Sequence, residues 1–163
     1  MSMDTIQDLF EHGLEDIYHA EQQLLDALDN LEAKTEDEEI ARAFADHREE
    51  TEGQIERLEE VFEEFGESPE KEECEGINGI IEEYEGFLAE DPDQNVMDYH
   101  NMAAAEKTEH YEIAAYGNLI PLAAALGLDD AADLLEENLR EEQDALEKLK
   151  NLTEEFDIDE IPA

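Results

Sequence analysis

Apolar residues recur at three- and four-residue intervals through four long stretches of the chain, and this spacing predicts four amphipathic helices. The first covers 4–33, with Leu14, Ile17, Leu24, Leu28 and Leu31 on its inner stripe and Asp4 with Gln7 as a capping box. The second covers 37–65, opened by Thr35 with Glu38 and closed by Gly66, with Ser68 and Pro69 just beyond. Its stripe is Ile40, Phe44, His47, Thr51, Gln54, Leu58, Val61 and Phe65, polar in the middle. The third covers 95–126, with Asn95 and Asp98 as its cap and Met102, Ala105, Ile113, Tyr116 and Ile120 facing a core. Pro121 is expected to kink its apolar end, where Gly117 relieves crowding four residues back, and Gly127 closes it. The fourth covers 129–152, capped by Asp129, with Leu135, Leu139, Glu142, Leu146 and Leu149 along one seam. The tail, 153–163, carries no periodicity.

Between the second and third long helices lies a shorter apolar segment, 74–88, with Ile77, Ile80, Ile81, Tyr84, Phe87 and Leu88. Gly76, Gly79 and Gly86 dilute its helix propensity. Such a segment has to cover something. A homodimer interface and a crossover packed on its own bundle both satisfy it. At 1.5 Å per residue the long helices extend about 36–48 Å. Two pairs of long helices joined by one long connection are expected to form an all-α, ferritin-like four-helix bundle with one crossover and an additional short helix, as a single domain over 1–163.

Carboxylates interrupt the inner stripes. Glu109 lies four residues before Ile113, and Glu112 four before Tyr116; Glu21 lies between Ile17 and Leu24, and Glu142 within the fourth seam. A buried isolated carboxylate is very costly, so each must be protonated, paired or bound to a cation. In a chain this acidic any E-x-x-E match is close to chance; position on an apolar seam is the useful filter. It retains Glu21, Glu50, Glu109, Glu112 and Glu142, with His47 and, less directly, His110. Each long helix contributes near its middle, which is how bundles hold two metal ions. Oxygen and imidazole ligands suit iron, with manganese or zinc as alternatives. Such a set stabilises iron(III) once iron(II) is oxidised, and an open position would admit dioxygen or peroxide. Tyr18, Tyr111 and Tyr116 are candidate hydrogen-bond or electron donors, while His12 and His19 are expected to be solvated. The competing reading is a wet bundle centre without metal, with His47 bonded to Gln54 or Glu50.

Composition narrows the setting. The chain has 163 residues, 51 of them acidic and 9 basic, for a net charge of −42. With 40% hydrophobic residues it can still build a core, so disorder is not the expectation. Self-repulsion of this size destabilises the compact state in dilute salt and is screened at molar salt, where the Debye length is about 3 Å. Scarce lysine points the same way, to a cytoplasm holding molar salt as in haloarchaea, and to salt-dependent folding. No basic patch exists to displace counterions from nucleic acid, and anionic membrane surfaces are excluded likewise. Cys74 is the single cysteine, so there is no internal disulfide. The acidic N-terminus lacks a secretory pattern, and the apolar run Leu119–Leu128 is too short to span a bilayer, so a soluble, cytoplasmic protein is expected.

Five stretches carry a resemblance that covers most of the chain in order: DIYHAEQQLLDAL (Asp16–Leu28), HREETEGQIERLEEVF (His47–Phe62), KEECEGINGII (Lys71–Ile81), EHYEIAAYGNL (Glu109–Leu119) and LGLDDAADLLEENLREE (Leu126–Glu142). They resemble the YciE/YciF family, ferritin-like proteins related to rubrerythrin. The resemblance implies a four-helix bundle with a short fifth helix at a homodimer interface, a stress-associated role and a di-iron centre. The rubrerythrin-like E-x-x-E of the third long helix matches Glu109 and Glu112. The ferritin-like E-x-x-H does not recur: Gly53 stands three after Glu50 and Ala145 three after Glu142. Two function classes follow. One is a metal-binding stress protein with ferroxidase or peroxide-consuming activity; the other is a dimeric structural or interaction protein that kept the fold and lost the metal. A DNA-coating role is excluded by the charge, and nothing in the sequence marks a cage-forming surface.

Overall fold

The computed structural model describes residues 3–69 and 73–163. It contains α1 (Ile6–Lys34), α2 (Glu38–Phe65), α3 (Glu75–Leu88), α4 (Gln94–Ala125), α5 (Asp129–Glu155) and a short 3-10 turn (Ile158–Glu160). The predicted helices are all present. Their starts differ by a few residues, because the cap is chosen by which side chain reaches the first free amides. α1 is opened by Thr5, whose hydroxyl accepts from the Asp8 amide while the Asp8 carboxylate accepts from Thr5, so the capping box is not Asp4–Gln7. α2 is capped by Asp37 rather than Thr35, which instead closes α1. α4 is capped by Asp93, not Asn95. Asp98 accepts from the Glu36 and Asp37 amides, bracing the α1–α2 turn from α4. α5 begins after Leu128 without a side-chain cap, Asp129 lying in its first turn, and it runs on to Glu155 into the tail. Helical structure continues through Pro121 to Ala125. Gly66 and Gly127 take the left-handed conformation at helix ends, as their positions predict.

α1 packs on α2 and α4, and α5 packs on α2 and α4, so the four long helices form a ring. Leu28, Ile40, Met102 and Leu149 share one apolar end of the bundle; Phe10, Phe62, Leu119 and Leu135 share the other. Neighbouring helices in the ring therefore run antiparallel, while α2 and α4, on the diagonal, run parallel. Parallel α2 and α4 force the chain to travel the bundle's length between them, and α3 makes that crossing against α1 and α4. Ile77 is its buried anchor, and the Tyr84 hydroxyl donates to Asn101. α3 thus packs on its own bundle. Its N-terminus is pinned by Cys74, whose buried thiol caps Ile77 and lies 3.1 Å from the Tyr111 hydroxyl, which donates to Asp16. Gly76 has to be glycine here, since a Cβ would fall within 2.6 Å of the Tyr111 ring. His19, expected in solvent, is buried and accepts from the Cys74 amide. The docking of α3 covers it, an event that α1's own periodicity does not record.

Candidate metal centre

The two apolar ends are separated by a polar belt. On α1 the buried run Leu14, Ile17, Glu21, Leu24, Leu28 has a carboxylate at its centre. On α2 the run is Phe44, His47, Thr51, Gln54, Leu58. On α4 it is Met102, Ala105, Glu109, Glu112, Tyr116, Leu119, Ala123. Here the carboxylates are the stripe rather than neighbours of it: Ile113 and Ile120 lie half-buried to one side. On α5 the run is Leu135, Asn138, Glu142, Leu146, Leu149, with Asn138 inside and Leu139 only half-buried. Steps of three and four in register on all four helices stack these polar residues at one level.

His47, Glu109, Glu112 and Glu142 offer ligand atoms that all lie within 4.8 Å of one another. The His47 ring joins them: Nε2 is 3.0 Å from Glu109 Oε1 and 3.4 Å from Glu142 Oε2. Nδ1 points the other way, 3.2 Å from Glu50 Oε2. Glu50 is 48% exposed and stands outside the group, touching it only through His47; Gln54 makes no bond to His47. His110 is exposed and stands outside the group. Glu21 is wholly buried beside the group and accepts from the Tyr116 hydroxyl. Asn138 donates to that hydroxyl at 3.1 Å and accepts from Arg57, which also forks onto Glu141. Asn138 was not among the expected polar positions, although the α5 register of 135, 138 and 142 marks it. Of the other tyrosines, Tyr18 bonds Glu59 and Tyr111 bonds Asp16, both away from the belt.

The belt holds its carboxyls by protonation. Burial, with the Glu142 and Glu21 charges beside it, pushes Glu112 well above the ordinary carboxyl range. Burial and the Glu109 charge do the same to Glu142. Glu21 is pushed by burial to about 7, against the opposing bonds from Glu112 and Tyr116. Burial is the largest influence on Glu109 and pushes it upward, but the His47 charge and the bonds from Glu142 and His47 together outweigh it and leave Glu109 below its ordinary value. Burial would lower His47, yet Glu109 and Glu142 raise it well above the usual imidazole range. Without metal the belt thus favours one imidazolium–carboxylate pair and the protonated form of the acids around it.

Among the described residues no amide or hydroxyl donor reaches Glu21 Oε2, Glu109 Oε2 or either oxygen of Glu112 and Glu142, all of them buried, so Glu21 with Glu112 and Glu109 with Glu142 have only a proton to share. Native proteins seldom leave so many polar atoms at one point. Hard carboxylate oxygens beside one imidazole are the donors that first-row divalent metals take, so the residues present fit such an ion. No helix among the described residues is long and apolar enough to cross a membrane.

Residues 5–158 match the model of a family described as a domain of unknown function, DUF892. The chain belongs to that family. Protein YciF of Escherichia coli (strain K12) is 44% identical over 153 residues, 93% of this chain and 92% of that protein. The crystal structure of YciF, an E. coli stress protein, superposes with a TM-score of 0.88 at 43% identity, covering 93% of this chain and 96% of that one. YcfI from Rhodopseudomonas palustris, to which a structural role is ascribed, gives 0.88 at 42% identity over 91% and 95%. A protein from Xanthomonas campestris pv. campestris, 23% identical with a TM-score of 0.75, shares the fold. The matched span contains all five helices, so this is a family of all-α bundles with the crossover in place.

Proposed function

We propose that the protein is a cytoplasmic, metal-binding stress protein whose polar belt holds a di-metal centre on Glu21, His47, Glu109, Glu112 and Glu142, with iron as the leading ion. The observation that carries this reading is the buried group of four ligand atoms within 4.8 Å of one another, whose carboxyl oxygens meet other carboxyls and His47 in place of amide or hydroxyl donors. The stress role follows from the E. coli relative, and a homodimer through α3 and a molar-salt cytoplasm complete the reading.

Bound iron would supply one-electron chemistry toward dioxygen or peroxide. The chain's own residues do the rest. Metal loading has to displace the protons held on Glu112 and Glu142 and on the His47 ring, so uptake releases protons and tightens with pH. Tyr116, fixed by Asn138 and thereby by Arg57, aims its hydroxyl at Glu21 and holds that carboxylate in place. The apolar ends keep bulk water from the belt.

The second reading, a structural protein that has lost its metal, is favoured by the missing E-x-x-H and by the role ascribed to YcfI. Elemental mass spectrometry separates the two, on protein grown with added iron and purified in molar salt without chelators. The expected result is about two iron or manganese ions per chain, lost in Glu21→Ala and Glu109→Ala. Absence of metal even after anaerobic Fe(II) addition would establish the second reading, and content unchanged in both variants would place the metal away from the belt and overturn the first.

A further inference from the structure

A cavity of about 100 Å3 opens between α2 and α5 and ends on the belt. Its walls are small or apolar, with Ala43, Phe44, Ala105 and Ala145 among them. Its polar side steps inward from the surface: Asp46, Glu50 and Asp144 at the mouth, then His47, then Glu109. Glu109 is 1% exposed, and no amide or hydroxyl donor reaches its buried Oε2. Lys148 crosses the mouth to Asp46 at 3.3 Å, both side chains half in solvent. By contrast, the space beneath α3, lined by Leu24, Ile80 and Ile81, and the groove along α1 and α4 contain none of the belt's ligands.

We propose that this cavity is the path by which divalent transition-metal cations reach the belt, with Glu50 as the outer carboxylate that passes them across His47 to Glu109. The inference rests on the metal-binding reading. The His47 ring stands across the path, one nitrogen toward the exposed Glu50 and the other toward the buried Glu109. Both nitrogens are ligand atoms, so a cation moving inward trades water for oxygen and nitrogen donors at each stage instead of crossing a bare apolar wall. This assigns Glu50 a role that its exposure denies it as a resident ligand. It also accounts for the alanines lining the passage, whose short side chains leave it open. Lys148, paired with Asp46, is the lysine at the mouth.

The test is the rate of anaerobic Co(II) uptake by the full-length protein, followed by the cobalt absorption band in molar KCl. That salt screens the field of the whole acidic surface and leaves the local path to decide the rate. Three variants are compared with the unaltered chain: Ala145→Phe, which fills the half-exposed passage wall; Glu50→Gln; and Glu63→Gln, an exposed carboxylate far along α2. Circular dichroism verifies folding. Ala145→Phe is expected to slow uptake about tenfold and Glu50→Gln several-fold, with Glu63→Gln unchanged and the final cobalt content the same in all. Should Ala145→Phe fail to fold, Glu50→Gln decides. Uptake at the unaltered rate in both path variants, with normal final content, overturns the path and leaves the metal centre standing. A lower final content in Glu50→Gln would make Glu50 a resident ligand and overturn its relay role. No uptake by the unaltered chain would end both readings together.

Discussion

The belt and the apolar ends of the bundle are built on the same helices, a turn or two apart, and obey opposite rules. At the ends, Phe10, Leu14, Leu58 and Phe62 are buried against their own kind, and Phe10 meets Phe65 edge-on with ring centres 5.2 Å apart. In the belt, Glu21, Glu112 and Glu142 are equally buried and hold oxygens that no amide or hydroxyl donor reaches. The ends supply stability; the belt consumes it. A bundle whose purpose was only to stay folded would continue Leu and Ile through the middle. The stabilisation at the ends is what lets the middle hold carboxyls in a state that a cation can complete.

The largest effect expected from breaking this division is at the apolar end. Phe10→Ala should cost about 3–5 kcal/mol by removing a fully buried ring. Chemical denaturation in molar KCl measures it, and metal content per folded chain should not change. A change in metal content would mean that the two regions are not separable.

Next comes pH, acting on the belt alone. A group whose folded value is raised contributes stability below its unfolded value and loses it as pH climbs through the folded value. Glu21, raised from 4.5 to about 7, contributes on the order of 3 kcal/mol that vanishes as pH rises through neutrality. Glu112, Glu142 and His47, each raised well above its ordinary value, act with the same sign. Glu109 has the opposite sign, contributing above the ordinary carboxyl range and losing that contribution as pH falls through its lowered value. The metal-free protein should therefore melt at progressively lower temperature from pH 5 to pH 7, the interval between the unfolded and folded values of Glu21. Metal-saturated protein should show little of this fall, because deprotonated ligands bind the ion more tightly. A flat melting profile without metal would contradict the protonated belt.

The smallest effect has the most informative sign. Glu112→Leu removes a buried carboxyl that no amide or hydroxyl donor reaches and that meets only neighbouring carboxyls, so the metal-free protein should gain about 2 kcal/mol. The same variant should take up less metal. A variant that loses both stability and metal would show that Glu112 holds the bundle together rather than waiting for a ligand.

Much of this was legible in the residues. Glu21, Glu109, Glu112 and Glu142 stood out because acids on an apolar seam cannot be solvated, and helix periodicity reports which face is inward. Glu50 was misassigned to the interior because it is one turn from His47, and a rotation of a fraction of a turn separates a ligand from a surface acid. Ile113 and Leu139 were placed inside for being apolar, when Glu112 and Asn138 hold the register. His19 was misread because its cover, Cys74 at the start of α3, lies 55 residues away in sequence.

By itself the sequence determined the helices, their inward faces, the acidic surface and the level at which the carboxylates fall, because each is a local property of spacing and residue type. Only the tertiary structure decided which carboxylates meet, which hold protons, how Asn138 and Arg57 brace Tyr116, and where a passage remains open to the belt. Those depend on distances between helices, and they are fixed by the packing of all four long helices and α3 together.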